Sequence, residues 1–326
     1  MPEAPRPAVV AGVRIEKRHA ARGGLTIRDR AGTMAVCGVS LAVELGEIYG
    51  LVGQSGAGKS SLARILALLD CPDAGEVLYE GRRVDNLGGE RLRELRRSVQ
   101  IVFQDPGTSL NPLQRVNSIV EEPLHIHRLH LDAAREPRIR ELLAAVGLPD
   151  DDGFRSRFPR ELSGGERQRL AIARALACEP RALILDEPVS ALDISIRGQV
   201  LNLLVELRKR FGLAMLLIAH DLAVIAGICD RVGVMLGGRI VEEGGVEPVL
   251  DTPLHPYTRA LVRAAAGPDL EPEREADGAS DGDRALTAGC RYSSRCGRAN
   301  EVCRQEPNLR PGGTNHWVAC YFPEEF

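Results

Sequence analysis

The residues at positions 53–61 are of the types that hold a phosphate chain. Their sequence is Gly-Gln-Ser-Gly-Ala-Gly-Lys-Ser-Ser. A glycine, four free positions and then Gly-Lys-Ser is the pattern of a phosphate-binding loop. The glycines let the backbone turn sharply and approach a phosphate without side-chain clashes. Several main-chain N–H groups then point into one concavity, where the positive end of the following helix adds to the field. We predict a nucleotide site formed by Gly53, Gln54, Ser55, Gly56, Ala57, Gly58, Lys59, Ser60 and Ser61.

Two side chains of this loop have separate predicted roles. Lys59 would reach the β and γ phosphates, and the Ser60 hydroxyl would be a ligand for Mg²⁺. The apolar run Ile48–Val52 before the loop is typical of a buried strand, and leucine and isoleucine recur at helical spacing after it. A glycine-rich turn that matches by chance is the alternative, and this strand–loop–helix order argues against it.

Two acids close the apolar run at 182–185 and are candidates for metal binding and catalysis. Asp186, at the end of a predicted central strand, is placed to hold Mg²⁺. Glu187 lies one residue further on, where its carboxylate can orient and deprotonate an attacking water. The alternative is that the two acids cap the next helix, but Pro188 follows them and the phosphate loop supplies a metal.

Gln104 and His220 also follow apolar strands. Because open α/β sheets bind ligands at the carboxyl ends of their strands, we expect both side chains at the edge that carries Asp186 and Glu187. Gln104 is predicted to be a ligand of the Mg²⁺ and to sense the γ-phosphate beside it. His220 is predicted to contact the γ-phosphate. A lone Gln or His is usually an ordinary polar residue, and the shared strand-end position is what favours the functional interpretation.

A second helix start contains Ser163, Gly164, Gly165 and Glu166. Ser163 can cap this helix, and the two glycines leave unobstructed N–H groups at its positive end. An ordinary capped helix without a ligand is the alternative. Since one nucleotide rarely needs two such helix starts from one chain, we predict that this one covers a nucleotide held by another copy of the protein.

The composition limits the classes of function. The 326 residues suffice for about two domains, and 42 basic against 45 acidic residues give a formal charge of −3, which offers no reason to expect nucleic-acid binding. No apolar run approaches the ~18 residues of a membrane helix. The N-terminus lacks the charged and apolar regions of a signal peptide. We expect the protein to stay in the cytoplasm.

Strand and helix patterns predict an α/β fold, a phosphate-loop NTPase core with a mixed sheet. The core would span residues 1–262, with an inserted helical subdomain at about 105–162. Prolines and seven acids make residues 263–286 a predicted solvated linker. Residues 287–326 would form a small Cys-rich C-terminal extension.

Four of the eight cysteines lie in that extension, as Cys290-x5-Cys296-x6-Cys303-x16-Cys320. A small segment with so few apolar residues needs a staple to fold, and disulfides are disfavoured in the cytoplasm. Four thiolates around one metal centre would suffice, either Zn²⁺ or an iron–sulfur cluster. The spacing lacks the paired C-x2-C knuckles usual for structural zinc, and free thiols are a third hypothesis.

Taken in order, these motifs resemble the ATP-binding subunit of an ABC transporter over roughly residues 36–262. They are the phosphate loop, Gln104, Leu162–Arg169, Leu183–Glu187, Ser190–Asp193 and His220. Three further stretches are similar to the dipeptide/oligopeptide and nickel importer branch, namely Gln104–Pro112, Ser190–Ser195 and Pro253–Thr258.

The resemblance implies an ATPase that uses ATP and Mg²⁺ and has Asp193 among its nucleotide-binding residues. It also implies that the cargo is a di- or oligopeptide, or alternatively nickel. It implies as partners two transmembrane permease subunits, a second ATP-binding subunit (identical or paralogous) and an extracytoplasmic substrate-binding protein, and no nucleic acid. The chain would be peripheral, at the cytoplasmic face of the inner membrane. A soluble ABC ATPase of DNA repair or translation is the rival hypothesis, opposed by the single cassette and the lack of a coiled-coil insertion.

The same resemblance implies a [4Fe–4S] cluster on Cys290, Cys296, Cys303 and Cys320, in preference to Zn²⁺. Two departures from the family pattern stand out. An aromatic residue usually stacks on adenine where this chain has His19 or Ala20. Glu166 replaces the more frequent Gln, an acid that we expect to leave the serine and glycine N–H groups available.

Overall fold

The computed structural model describes residues 7–19, 32–130, 132–266 and 289–324. The strands of this described part are β1 (Ala8–His19), β2 (Thr33–Glu44), β3 (Ile48–Val52), β4 (Ala74–Tyr79), β5 (Arg82–Arg83), β6 (Val99–Val102), β7 (Ala182–Asp186), β8 (Ala214–Ala219), β9 (Arg231–Leu236), β10 (Arg239–Gly245), β11 (Arg310–Gly313) and β12 (His316–Val318). Its α-helices are α1 (Lys59–Leu66), α2 (Gly89–Ser98), α3 (Pro106–Ser109), α4 (Val116–Ile126), α5 (Asp132–Ala145), α6 (Asp152–Arg155), α7 (Gly164–Leu176), α8 (Ile194–Phe211), α9 (Leu222–Ile228), α10 (Val246–Asp251) and α11 (Pro256–Ala266). Short 3₁₀ turns lie at Pro159–Glu161 and Glu301–Arg304.

The larger sheet has eight strands in the order β11-β12-β10-β9-β3-β8-β7-β6. Neighbours from β9 to β6 run parallel, whereas β10, β12 and β11 continue the sheet in antiparallel pairs. Strands β3, β7 and β8 are buried at every position, as central strands covered on both faces must be. Because these strands are parallel, their carboxyl ends share one edge, and the loops that carry Gly53, Glu187 and His220 start there.

The smaller sheet is antiparallel, in the order β2-β1-β4-β5. Helix α1 lies between the two sheets, since Leu62, Ile65 and Leu66 share one buried cluster with residues of β1 and β2 and with Leu51 of β3. This packing fixes the start of α1, and therefore the phosphate loop before it, against the central strands. The mixed α/β architecture agrees with the predicted fold class.

Between β6 and β7 the described residues include helices and a 3₁₀ turn joined by loops, and no strand. Helices α4, α5 and α7 contact one another through a core that includes Ile119, Leu124, Leu142 and Leu170. Within the described ranges, no helix has the length and the apolarity that a bilayer crossing requires.

The described C-terminal residues 289–324 pack on the rest of the chain. Strand β12 pairs with β10, with Glu242 opposite Val318 and Gly244 opposite His316. The fully buried carboxylate of Glu242 lies 2.7 Å from Nε2 of His316 and also accepts hydrogen bonds from the N–H groups of residues 254 and 255. This pairing makes the C-terminal residues an edge of the main sheet.

Candidate nucleotide-binding site

The phosphate loop is held by close backbone packing at two glycines. Gly53 has φ of 156° and Gly58 has φ of 101°, conformations that strain an L-residue. A Cβ at Gly53 would lie 2.1 Å from the carbonyl oxygen of Met235, and one at Gly58 would lie 1.9 Å from that of Ala35. Only glycine therefore fits at these two places, and helix α1 begins directly after the second one.

Lys59 is almost completely buried and curls back over the loop. Its Nζ donates to the carbonyl oxygens of Gly53 at 2.7 Å and of Gln54 at 3.0 Å. Burial lowers the pKa of Lys59, and the charges of Glu187 and Asp186 oppose that shift. Within the described residues, the hydrogen-bond partners of the ammonium group are thus these two main-chain oxygens, which phosphate oxygens could replace.

Two of the three side chains predicted to hold Mg²⁺, Ser60 and Asp186, are in contact. The hydroxyl of Ser60 donates to Oδ1 of Asp186 at 3.1 Å. Burial raises the pKa of Asp186, and the neighbouring Glu187 raises it further, while the Ser60 hydrogen bond lowers it. Two acids next to each other with little solvent around one of them form a site that a divalent cation would neutralise.

Glu187 brings the other predicted catalytic residues together. Its Oε2 accepts from Nε2 of Gln104 at 3.1 Å and lies 3.2 Å from Nδ1 of His220. Glu187 has a positive φ of 49°, and its N–H donates to the carbonyl of Ile218 in β8. Since Gln104 uses its amide nitrogen on Glu187, its carbonyl oxygen is the atom left for a cation. Ser190, which the sequence did not single out as a site residue, places its Oγ 3.4 Å from the same amide nitrogen.

The second helix start forms a capping box at the beginning of α7. The N–H of Glu166 donates to Oγ of Ser163 at 3.3 Å, and Oε2 of Glu166 accepts from the Ser163 N–H at 2.7 Å. The expectation that an acid at 166 leaves the Ser163 N–H available is therefore wrong for this arrangement. A Cβ on Gly165 would lie 2.6 Å from Ile196 of α8, so this glycine permits close helix packing.

Ser163–Glu166 makes no hydrogen bond to the phosphate loop anywhere in the described ranges. Asp193 is exposed at the N-terminal end of α8, where its side chain makes no capping hydrogen bond. In the described residues, therefore, no hydrogen bond joins Ser163–Glu166 or the Asp193 side chain to Lys59 or Glu187.

Two contacts reach the phosphate loop from outside the predicted motifs. Nε2 of His19 lies 2.8 Å from Oγ of Ser61, so one candidate for the adenine side of the site is next to the loop. The other candidate, Ala20, lies outside the described residues. The hydroxyl of Tyr257 accepts a 3.0 Å hydrogen bond from the N–H of Gln54. The Pro253–Thr258 pattern marked Tyr257 in the sequence but gave it no role.

The four C-terminal cysteines line one cavity, together with His255 and Tyr292. Burial raises the pKa of Cys290 and Cys296, and it raises that of Cys320 to about 11. In the described part of the chain, no three or more His, Cys, Asp or Glu side chains are grouped so that they could hold a metal ion. The predicted metal centre, as Zn²⁺ or as an iron–sulfur cluster, therefore has no preformed ligand set.

Comparison with known families gives two matches along the chain. Residues 36–190 match the model described as ABC transporter. Residues 241–303 match the model described as oligopeptide/dipeptide transporter, C-terminal region. The second match begins in β10 and includes three of the four cysteines, so it joins the sheet edge to the C-terminal residues.

Individual relatives cover nearly the whole chain. The oligopeptide transport ATP-binding protein AppF of Bacillus subtilis is 40% identical, over 94% of this chain and 95% of its own length. The dipeptide transport ATP-binding protein DppF of Haemophilus influenzae is 39% identical, over 94% of each chain. Among solved structures, the post-hydrolysis dimer of the ATP-binding cassette MJ0796 bound to ADP and Pi has a TM-score of 0.63 and 29% identity, over 73% of this chain and 98% of that one.

These similarities agree with the geometry of the phosphate loop and confirm the resemblance found in the sequence. Identity of this level across whole chains leaves no ambiguity about the family. The chain belongs to the ATP-binding subunits of ABC transporters, in the group of the oligopeptide and dipeptide transport proteins, and it hydrolyses ATP.

Proposed function

We propose that this chain binds ATP and Mg²⁺ at the phosphate loop and uses hydrolysis to drive the import of di- or oligopeptides through a membrane permease. The observation that carries the proposal is the convergence of Lys59, the Ser60–Asp186 pair and Glu187 at one edge of the sheet. These groups come from two motifs far apart in the sequence, the phosphate loop and the acidic end of β7, and together they supply a phosphate ligand, a cation site and a base.

Nucleotide binding would begin at the N-terminus of α1, where main-chain N–H groups face the phosphates. Lys59 would exchange the carbonyl oxygens of Gly53 and Gln54 for β and γ phosphate oxygens. Ser60, Asp186 and the carbonyl oxygen of Gln104 would hold the Mg²⁺, which neutralises phosphate charge when bound.

Glu187 is the proposed base for the attacking water. Its contacts to Gln104 and His220 both use Oε2, so Oε1 is the oxygen that would accept the proton. Gln104 and His220 would hold the Glu187 carboxylate in position. Through these two side chains, the presence of the γ-phosphate would affect the conformation of the loops that carry them. The 3.4 Å approach of Ser190 to Gln104 supports the same arrangement.

A second copy, or a paralogue, would complete each site with its Ser163–Glu166 helix start and Asp193. In the described residues, Ser163–Glu166 makes no hydrogen bond to the phosphate loop of its own chain, which supports a role in trans. The similarity to a cassette solved as a nucleotide-bound dimer supports it as well. In this arrangement Glu166 of one chain would bring a carboxylate to the phosphates held by the other.

The proposed partners are two permease subunits, a second ATPase subunit and an extracytoplasmic substrate-binding protein, with this chain at the cytoplasmic face of the membrane. The names of the relatives, oligopeptide and dipeptide transport ATP-binding proteins, favour peptides over nickel as cargo. The same names do not support the rival hypothesis of an ATPase in DNA repair or translation.

We also propose that residues 263–286 link the cassette to a C-terminal segment that carries a [4Fe–4S] cluster on its four cysteines. Support comes from the single cavity they line, since a cluster separates its ligand sulfurs more than one ion does. His255 lines the same cavity, and its buried Nε2 has no hydrogen-bond partner in the described residues, so it could donate to a cluster sulfide.

The experiment that tests the function is reconstitution of the detergent-solubilised complex in liposomes. The chain should co-purify with permease subunits, and its ATPase activity should rise when the substrate-binding protein is loaded with a di- or oligopeptide. A complex with Lys59→Ala is the control and should show no stimulation. Stimulation by nickel and not by peptides would refute the cargo, and purification without any permease would refute the transport role.

A further inference from the structure

The segment Pro253–Thr258 is a sequence pattern that the proposed catalytic groups do not use. We propose that its Tyr257 is a positioning residue for the phosphate loop, and that Tyr292 of the C-terminal segment holds Tyr257 in place. The C-terminal segment thereby sets the affinity of the site for ATP. This inference rests on the proposed function only in that ATP binds at the phosphate loop.

Tyr257 lies in the first turn of α11 and is 1% exposed. Its hydroxyl accepts the N–H of Gln54 at 3.0 Å, across 203 positions of sequence. Gln54 directly follows Gly53, whose Cα packs against the carbonyl of Met235 at the end of β9. The entry of the loop is therefore fixed on two sides, by the main chain of β9 and by the Tyr257 hydroxyl.

The Tyr257 hydrogen bond does not depend on Lys59. The carbonyl oxygens of Gly53 and Gln54 both accept from Lys59, and both lose that partner when the ammonium group moves to phosphate oxygens. The N–H of Gln54 donates to Tyr257 and has no part in this exchange, so the exchange does not require the Tyr257 hydrogen bond to break. A loop that holds its shape before and after the exchange pays less ordering entropy on binding, which appears as higher affinity.

Tyr257 is itself held by residues tied to the C-terminal segment. Its N–H donates to Nδ1 of His255 at 3.0 Å, and the N–H of His255 donates to Glu242, which also contacts His316 of β12. Burial lowers the pKa of His255 to about 4, so Nδ1 remains an acceptor at neutral pH.

The ring of Tyr292 completes the connection. Its centroid lies 5.7 Å from that of Tyr257 and 6.2 Å from that of His255, at tilted and edge-on angles. Tyr292 is two positions after Cys290 and lines the cysteine cavity. A change of packing in the cavity therefore acts on the ring that supports Tyr257.

The alternative is that Tyr257 is only a core aromatic residue, and Tyr79 offers a matched control. Tyr79 is also buried, and its hydroxyl donates to a main-chain oxygen, that of Leu66, at 2.8 Å. Replacing either tyrosine by Phe removes one hydroxyl and one hydrogen bond to the backbone. If both roles are structural, the two variants lose stability alike and bind ATP alike.

The experiment compares full-length Tyr257→Phe and Tyr79→Phe with wild type at a temperature where all are folded. For Tyr257→Phe we expect the Kd for ATP without Mg²⁺, and the KM of hydrolysis, to rise roughly three- to tenfold. Its kcat should stay within about twofold, because Glu187 and its partners are untouched. Tyr79→Phe should leave Kd and KM within about twofold.

Two variants of the C-terminal segment test the second step. Tyr292→Leu should raise the Kd for ATP, whereas Tyr321→Phe, which removes a hydroxyl that donates to Glu306, should not. An unchanged Kd in Tyr257→Phe, or equal changes in Tyr257→Phe and Tyr79→Phe, would overturn the role of Tyr257. An unchanged Kd in Tyr292→Leu would overturn the role of the C-terminal segment. Lys59→Ala is measured alongside as a test of the ATP site itself. If this variant binds ATP as tightly as wild type, ATP does not bind at the phosphate loop, and the proposed function fails whatever the tyrosine variants show.

Discussion

The hydroxyl of Ser60 donates a 3.1 Å hydrogen bond to Oδ1 of Asp186, a residue 126 positions later in the chain. Ser60 is in the first turn of α1, and Asp186 ends β7. Strand β8 lies between β3 and β7, so the contact forms across the carboxyl edge of three neighbouring parallel strands. The proposed cation site is thus a property of the sheet order, and the predictions below test the groups around it.

Glu187→Gln should keep ATP binding and lower kcat by about 10²-fold or more, because the amide cannot accept the proton of the attacking water. ATP should then trap a dimer, which sedimentation of the nucleotide-bound protein would detect. Glu206→Gln, on an exposed position of α8, is the control and should hydrolyse ATP normally. Undiminished turnover in Glu187→Gln would refute this residue as the base.

Asp186→Asn should abolish Mg²⁺-dependent hydrolysis and yet raise the unfolding temperature of the nucleotide-free protein. The folded pKa of Asp186 is raised, chiefly by burial, so ionisation at neutral pH costs stability. The folded protein therefore loses stability as pH rises from the ordinary pKa of an Asp carboxyl through the raised pKa of folded Asp186. Thermal unfolding of wild type and Asp186→Asn between about pH 4 and 7, the range in which a raised carboxyl pKa falls, measures this cost. A lower unfolding temperature in the variant at neutral pH would contradict the prediction.

Glu166→Gln should keep the capping box, since an amide oxygen can still accept the Ser163 N–H. Removing the charge should also let ATP drive dimer formation at a lower concentration, because no carboxylate would then approach the phosphates in trans. Glu166→Ala, which loses the cap, should instead cost about 1 kcal/mol of unfolding free energy. Titration of dimer formation with ATP distinguishes the two effects, and an identical ATP requirement in Glu166→Gln and wild type would exclude the repulsion.

The stability that Glu166 contributes should depend on pH in the direction of a depressed carboxyl. Acceptance of the Ser163 N–H holds the pKa of Glu166 below its ordinary value. Its contribution is therefore complete above the ordinary pKa and is lost as pH falls through the folded pKa. Acid unfolding should show a smaller loss in Glu166→Ala than in wild type over that interval, and parallel curves would contradict this.

Cys303→Ser should remove the proposed cluster. Anaerobically purified wild type should be brown, with about four irons per chain, and the variant colourless. The cassette has its own core, so the variant should still bind ATP, with its Kd raised no further than in Tyr292→Leu. One zinc per chain in colourless wild-type protein would replace the cluster by a single ion, and freely alkylated thiols in native protein would exclude any metal centre.

The sequence by itself determined where the chemistry lies along the chain. The phosphate loop, Gln104, Asp186, Glu187 and His220 each follow an apolar run, and such runs are local patterns that need no knowledge of partners. The strand Ile48–Val52 was predicted with the bounds that the structure has. Parallel strands place their carboxyl ends together, so even the convergence of these residues could be inferred.

Only the tertiary structure decided which atoms meet. That Gln104 and His220 share Oε2 of Glu187, that Glu166 takes the Ser163 N–H, and that Lys59 rests on two loop carbonyls are matters of side-chain geometry. No local pattern predicts the pairing of β12 with β10, or the bond from Gln54 to Tyr257 across 203 positions. Such contacts depend on how distant elements pack, because a hydrogen bond forms only where the fold brings donor and acceptor within about 3 Å.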